Sequence, residues 1–161
     1  MNKLEVIDML NDAGIRYNFI EHPSVETIKE IKRFDLPNPE MIVKNLFLRD
    51  DKKKSYYLVV VRSDRTVNLK ELSNLLGSRP LSFASENDLM YYLGLKKGSV
   101  TPFGIFNDVQ CRVNLVIDES ILSFKMIGIH PNENTATLWI SPFDLQTIIE
   151  KHGISIISLK I

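Results

Sequence analysis

Residues 41–62 have the sequence MIVKNLFLRDDKKKSYYLVVVR, the clearest β-hairpin signal in the chain. Two runs rich in valine, leucine and aromatic residues, Met41–Arg49 and Tyr56–Arg62, flank a short polar turn. Apolar runs of this length on either side of a turn predict a β-hairpin. Lys44 lies inside the first strand. Strand alternation places its side chain opposite that of Val43, and the pattern alone does not say which face is buried.

On both sides of this hairpin, helices and strands are interspersed along the chain, and no βαβ repeat dominates. This predicts one α+β domain over residues 1–161, with a mixed, largely antiparallel, barrel-like sheet flanked by helices. Helices are predicted at Lys3–Ala13, from Ser24 through Ile28 and Ile31, at Leu69–Leu76, from Ser85 to Tyr92, and from Ser141 to His152. Further strands are predicted at Tyr17–Glu21, Leu81–Ala84, Cys111–Asp118, Lys125–His130, Thr135–Ile140 and Ile154–Leu159, with a helical turn after Asp118.

The composition excludes several classes of protein. The 20 basic and 20 acidic residues cancel, so any site for a polyanion must be a local patch. Cys111 is the only cysteine, which excludes an internal disulfide and a cysteine-rich zinc site, and its place in an apolar strand argues against a metal. We expect a cytoplasmic monomer with no signal peptide, membrane span, metal or cofactor.

A second informative stretch is Gly98–Gly104, with the sequence GSVTPFG. Glycine permits positive φ and close approach of the backbone to a ligand, and proline stiffens a turn. Such a loop can direct several backbone N–H groups at one anionic oxygen. A plain connecting turn is the alternative interpretation.

Four motifs in order resemble one family. They are VKNLFLRD at 43–50, GSVTP at 98–102, Asp118 at a strand end, and HPNENTAT at 130–137. Together they resemble the YbaK/ProX-type aminoacyl-tRNA deacylases, which are freestanding relatives of the editing domain of prolyl-tRNA synthetase. The likeness is greatest to the branch that clears alanine from proline tRNA. It implies metal-free hydrolysis of the ester at the tRNA 3′ end, in a mixed β-barrel flanked by helices.

The resemblance also implies a set of site residues. Lys44 would anchor the terminal phosphate or the ester, backbone N–H groups of the loop would stabilise the oxyanion, and His130 would shape the pocket or hold the substrate amine. Asp118 is expected to brace a strand end or the loop rather than to react. The predicted catalytic residues are Lys44, Gly98, Ser99, Val100, Thr101, Pro102 and His130, and the predicted substrate-binding residues are Ile28, Asn45, Phe47, Asp118, Asn134 and Thr137.

The sequence contains no evident activated nucleophile. Ser99 lies in the loop, but no general base is apparent beside it. We therefore favour direct attack by water, which the resemblance suggests is assisted by the terminal ribose hydroxyl. His22 and His152 are interpreted as structural residues. Asn132 and Glu133 replace more apolar residues expected after His-Pro, which bears on one wall of the amino-acid pocket.

The expected partners are the 3′ end of an aminoacylated tRNA and, transiently, prolyl-tRNA synthetase. Two lysine clusters are predicted to contact tRNA if they share a face: Lys52, Lys53 and Lys54, and Lys96 and Lys97. The first cluster is also explained as a solvated hairpin tip. Alternative functions are a cysteinyl-tRNA deacylase of the same fold, a non-catalytic module that senses tRNA ends or amino acids, and an α+β domain of unrelated role.

Overall fold

The chain forms two β-sheets and five α-helices in a computed structural model that describes residues 1–25, 27–31 and 33–161, with the backbone alone for Ile28 and Ile31. The helices are α1 Lys3–Asp12, α2 Ile28–Ile31, α3 Leu69–Leu76, α4 Glu86–Leu93 and α5 Pro142–Lys151. The strands are β1 Tyr17–Glu21, β2 Val43–Asp50, β3 Tyr56–Arg62, β4 Leu81–Phe83, β5 Val113–Asp118, β6 Ile127–Ile129, β7 Ala136–Ile140 and β8 Ile156–Leu159.

The larger sheet has five strands in the order β4-β2-β3-β5-β8. The predicted hairpin is confirmed, because β2 and β3 pair antiparallel with Asn45 opposite Val60. β5 continues the sheet parallel to β3, and β8 is parallel to β5. Both faces of β3 are buried: Leu58 and Val60 lie in the main core, and Val59 and Val61 pack in a second cluster. Burial on both faces explains why this strand is continuously apolar instead of alternating.

The smaller sheet has three antiparallel strands in the order β1-β7-β6. It meets the larger sheet at a parallel bridge between Ile42 and Gly128. A Cβ atom on Gly128 would lie 2.8 Å from Cγ1 of Ile42, so only glycine permits this approach. The α+β prediction with mixed sheets is confirmed. Within the described residues, the sheets are joined at this bridge and do not form one continuous closed barrel.

The predicted helix boundaries at three helices are confirmed by their caps. Asn68 accepts hydrogen bonds from the backbone of α3, which ends at Gly77 with φ of 60°. Ser85 and Asp88 form a capping box at the start of α4. Ser141 caps α5, and Pro142 occupies the first turn, where a missing N–H costs nothing.

Two local predictions are wrong, and one element was not predicted. The cap next to α2 is Thr27, whose Oγ1 accepts from the backbone of Glu30, instead of Ser24. Cys111 lies outside β5 and is exposed, with φ of 51° in the turn that leads into the strand. The element that was not predicted is the 3₁₀ helix Pro102–Asn107, which follows Thr101. Among the helices that the structure describes, none is long and apolar enough to cross a bilayer.

Candidate active site

A cleft of about 170 Å³ opens where the two sheets meet. It is lined by the start of β2, the whole of the Gly128–His130 segment, one residue of β7 and two residues of the glycine–proline loop. The lining residues are Thr27, Ile42, Val43, Lys44, Asn45, Gly98, Val100, Gly128, Ile129, His130 and Thr137. The fold therefore brings together residues from every motif quoted above except Asp118.

Lys44 lies on the cleft wall and is half-buried. Its ammonium donates a hydrogen bond to the backbone carbonyl of Arg65, in the turn that follows β3. This bond holds the amine at the edge of the cleft and leaves two of its three hydrogens for a ligand. The position is compatible with the predicted anchoring of a phosphate or an ester oxygen.

Asn45 connects the cleft to the loop. Its Nδ2 donates to the backbone carbonyl of Val100 at 3.0 Å, which fixes the orientation of the amide. The other amide atom, Oδ1, is buried and has no hydrogen-bond partner among the described residues. A buried acceptor without a partner costs about 1–3 kcal/mol, so such atoms are found where water or a ligand later pairs with them.

The glycine–proline loop has one face on the cleft and one in the core. Gly98 has φ of 83°, as predicted, and lines the cleft together with Val100. Ser99 is buried away from the cleft, and its N–H donates to the carbonyl of Lys96 at 3.0 Å, so this N–H is not available to an oxyanion. The backbone N–H groups of Gly98 and Val100 have no acceptor in the part of the chain that the structure describes.

Thr101 and Pro102 support the loop from beneath. Both are buried, and neither lines the cleft. The hydroxyl of Thr101 donates to the backbone carbonyl of His130 at 2.5 Å, which ties the loop to the end of β6. Their contribution to the site is therefore through the position of Gly98 and Val100.

His130 is half-buried at the cleft wall, with a neutral ring. Its Nδ1 lies 2.7 Å from the carbonyl oxygen of Ala136, and because a carbonyl only accepts, Nδ1 carries the hydrogen. Nε2 is then the nitrogen with a free lone pair. Burial lowers the pKa of His130 below its ordinary value of 6.5, and the nearby His22 lowers it further. His130 thus presents an acceptor, not a cation, at neutral pH.

Thr137 and His22 form a pair that the sequence analysis missed, because His22 was interpreted as structural. Nε2 of His22 lies 2.9 Å from Oγ1 of Thr137, and Nδ1 of His22 donates to the carbonyl of Pro23. The ring of His22 stacks on Phe34 at 5.7 Å between centroids and lies 6.0 Å from His130. A histidine just before proline carries no periodic signal, so only the pairing of β1 with β7 reveals this contact.

Three other predicted substrate-binding residues, Phe47, Asp118 and Asn134, lie outside the cleft. Phe47 packs on Tyr56 and lines a neighbouring groove. Asp118 is fully buried, and its carboxylate accepts from Ser120 and from the backbone N–H of Ile161, which is a bracing role. The amide of Asn134 donates to the carbonyl of Val25. The side chain of Ile28 lies outside the described residues, and its place in the pocket stays a prediction.

Asn132 and Glu133 do not form a wall of the cleft. The amide of Asn132 donates to the carbonyl of Met1 at 2.9 Å, and the carboxylate of Glu133 accepts from the backbone N–H of Lys3 at 3.3 Å. These two departures from the family pattern therefore hold the N-terminal segment, and the cleft itself is unaffected by them.

The two lysine clusters occupy different places. Lys52, Lys53 and Lys54 form the exposed β2–β3 turn, about 20 Å along β2 from Lys44 at ~3.3 Å per residue. Lys96 and Lys97 are exposed immediately before Gly98.

Across residues 1–25, 27–31 and 33–161, no three His, Cys, Asp or Glu side chains are grouped closely enough to hold a metal ion.

Comparison with known proteins places this geometry in context. Residues 22–148 match the aminoacyl-tRNA editing domain family. The chain is 44% identical over 151 residues to "Prolyl-tRNA editing protein ProX" of Acetoanaerobium sticklandii, which covers 94% of this chain and 92% of that protein. It is 37% identical over 149 residues to "Prolyl-tRNA synthetase associated domain-containing protein 1" of Danio rerio, with 91% and 80% of the two chains covered.

Solved structures share the fold. One, described as a proposed trans-editing enzyme for prolyl tRNA synthetase, superposes with a TM-score of 0.74, covering 99% of this chain and 96% of that chain. Its sequence is 22% identical, so the likeness concerns the arrangement of the strands and helices.

Proposed function

The chain belongs to the aminoacyl-tRNA editing domain family, and from this premise we propose that it is a trans-editing hydrolase that removes alanine from mischarged proline tRNA. The names of its relatives support proline tRNA as the substrate. One observation carries the proposal: the same small cleft is lined by free backbone N–H groups, a lysine and a neutral imidazole.

The reaction is hydrolysis of the ester between the amino acid and the terminal ribose. A water oxygen adds to the carbonyl carbon, and the carbonyl oxygen becomes an oxyanion. Collapse of this intermediate breaks the bond to the ribose oxygen, which takes a proton. The products are the free amino acid and tRNA with its 3′ end restored. An ester is already activated, so positioning and charge stabilisation suffice.

Oxyanion stabilisation is assigned to Gly98 and Val100. These residues line the cleft, and their N–H groups have no acceptor within the described ranges. Their spacing suits two donors that converge on one oxygen across the positive-φ glycine. Ser99 is excluded as the nucleophile in this proposal because it is buried away from the cleft. Water attack is the simpler route, with the neighbouring ribose hydroxyl taking the proton from the water while it passes its own proton to the leaving ribose oxygen.

Lys44 and His130 are assigned to the substrate rather than to the water. The ammonium of Lys44 is available to the terminal phosphate or the ester oxygen while it stays bonded to the Arg65 carbonyl. The lone pair on Nε2 of His130 accepts from the α-ammonium of the aminoacyl group. A neutral imidazole is suited to this task because a protonated ring would repel the ammonium.

Selectivity for a small amino acid is assigned to the size of the cleft. Its volume of about 170 Å³ lies below the range of ~300–1,000 Å³ that is typical of sites for larger ligands. Ile42 and Ile129, both buried and branched, narrow it further. Steric exclusion rejects larger substrates more readily than smaller ones, so alanine is accepted while the correctly attached proline is spared.

The experiment that tests this proposal compares ester loss from proline tRNA charged with alanine, cysteine or proline. We expect alanine to be released at least tenfold faster than proline. Faster release of cysteine than of alanine would assign the protein to cysteinyl-tRNA deacylation. Stable esters in all three reactions, together with measurable tRNA binding, would favour a sensing module.

A further inference from the structure

A second cavity lies beside the cleft, on the other side of the Asn45–Val100 hydrogen bond. This base groove has a volume of about 310 Å³ and is lined by Asn45, Leu46, Phe47, Phe83, Ala84, Ser85, Glu86, Leu89, Lys97, Gly98 and Val100. We propose that the base groove binds the terminal nucleobase of the substrate, while the cleft holds the aminoacyl ester. This inference rests on the proposed function and extends it to the nucleoside.

The base groove and the cleft are adjacent and share a wall. Asn45, Gly98 and Val100 line both cavities, so an ester carbonyl at the loop places the attached ribose at their boundary. The base is joined to that same ribose. The base therefore lies close to the ester. The cleft has the smaller volume and cannot hold the base together with the aminoacyl group.

The lining of the base groove suits the face of an aromatic base. Phe83 is 61% exposed although it is a large apolar residue, and it lies on the edge strand β4. Pairing of Phe83 with Leu48 of β2 fixes its position along the groove. Phe47 and Leu89 form a buried apolar floor. Exposed aromatic rings beside a single-stranded nucleic-acid site characteristically stack on bases.

A phosphate is the other group that the terminal nucleotide offers, and the floor of the base groove does not suit it. The start of α4 would be the anion site, but its backbone is already engaged. Ser85 Oγ accepts from the N–H of Asp88, and the Asp88 carboxylate accepts from both the N–H and the hydroxyl of Ser85. The carboxylate would also repel a phosphate at this point.

The rim of the base groove has a cation for the phosphate instead. Lys97 lies 3.7 Å from Glu86, and the two side chains are 71% and 73% exposed. Pairs with this exposure are weak, so the ammonium is free to move to the phosphate on the 5′ side of the terminal nucleoside. The base then lies inside the groove and the phosphate lies at its rim.

The test compares two non-hydrolysable probes by calorimetric titration. One is 3′-deoxy-3′-(alanylamido)adenosine, and the other is the same compound with the base replaced by a methoxy group. For the wild type we expect the adenosine probe to bind roughly 5- to 150-fold more tightly, which is the range of base–aromatic stacking. In Phe83→Ala this gap should fall at least fivefold, while binding of the base-free probe stays unchanged.

Tyr91→Ala is the matched control. Tyr91 is an aromatic residue of α4 with 75% exposure, and it lies outside the base groove. This variant should keep the full gap between the probes. The proposal is overturned if the wild type shows no gap, if the adenosine probe does not bind at millimolar concentration, or if Phe83→Ala and Tyr91→Ala behave alike. Because the gap is a binding measurement, it stands even if alanyl-tRNA proves not to be hydrolysed, and its absence leaves the deacylation result intact.

Discussion

Nε2 of His22 lies 2.9 Å from Oγ1 of Thr137, so an imidazole from the segment after β1 holds a buried hydroxyl of the cleft wall. Because Nδ1 of His22 donates to the carbonyl of Pro23, Nε2 accepts and the Thr137 hydroxyl donates. The arrangement has the spacing of a nucleophile and its base. Full burial of Thr137 favours a positioning role, in which the pair fixes the wall that faces His130.

The two roles of Thr137 predict different outcomes for Thr137→Val. If the hydroxyl only positions the wall, hydrolysis slows about 2- to 13-fold, which corresponds to one hydrogen bond of ~0.5–1.5 kcal/mol. Thr137→Ser should remain within threefold of the wild type. The measurement is single-turnover hydrolysis with labelled alanine, quenched in acid. Label retained covalently on the wild-type protein, together with loss of all activity in Thr137→Val, would assign a nucleophile instead.

Lys44→Met should reduce hydrolysis about 30- to 1,000-fold while the protein stays folded. The substitution keeps most of the aliphatic part of the side chain but removes a charge-assisted contact in a sheltered cleft. Loss of that contact raises the activation free energy by ~2–4 kcal/mol. Lys70→Met is the control, because Lys70 is exposed on α3 away from the cleft. Circular dichroism and thermal unfolding check the fold. Activity within threefold of the wild type would remove Lys44 from the site.

The lowered pKa of His130 predicts that stability falls on the acid side of neutrality. The unfolded state protonates this ring at its ordinary pKa near 6.5, and the folded state does so only at lower pH. Between these two values the unfolded state binds more protons, so the free energy of unfolding decreases as the pH falls.

Urea denaturation between pH 7.5 and 5.5 measures this dependence. His130→Gln should have a flatter profile than the wild type. His152→Gln is the matched control, because this exposed histidine likewise bonds a backbone carbonyl. Parallel profiles for the wild type and His130→Gln would show that His130 is not the titrating group.

The elements of this fold were predictable where local chemistry determines them. Asn68 and Gly77 bound α3 as expected, and the hairpin follows from two apolar runs around a lysine-rich turn. For the site, the sequence predicted which motifs contribute residues, but it did not predict which of their residues line the cleft. Ser99 is buried while Gly98 and Val100 line the cleft. This arrangement depends on how the loop packs on the end of β6, where Thr101 bonds His130, 29 positions away in sequence.

The contact between His22 and Thr137 illustrates the same limit over a longer separation. It spans 115 residues and exists because β1 pairs with β7, which no local pattern encodes. The contacts of Asn132 and Glu133 could not be predicted from the sequence either, because their partners, Met1 and Lys3, are about 130 residues away in the chain.

The position of the lysine clusters predicts unequal contributions to tRNA binding. Lys97 lines the base groove, whereas Lys52, Lys53 and Lys54 lie at the far end of β2. Replacing Lys96 and Lys97 by glutamine should reduce the slope of log affinity against log salt by ~0.7 for each lost contact to single-stranded phosphate. The triple glutamine variant of the hairpin turn should leave the slope closer to that of the wild type. The reverse order would mean that tRNA approaches over the hairpin.

Gly98→Ala tests the loop itself. Gly98 adopts φ of 83°, which a residue with a Cβ atom rarely tolerates, so the substitution should displace the N–H groups of Gly98 and Val100. Those groups are assigned to an oxyanion that exists only in the transition state. Their loss should therefore slow the chemical step without weakening binding of the ground state.

The most direct measurement is single-turnover hydrolysis of alanyl-tRNA for proline by the wild type and Gly98→Ala, beside a binding titration with uncharged tRNA. We predict that the wild type releases alanine and that the variant does so about a hundredfold or more slowly, as for loss of an oxyanion donor of ~2.7–4 kcal/mol, with tRNA affinity unchanged within threefold. A variant that binds tRNA much more weakly but hydrolyses bound substrate at the wild-type rate would contradict the account.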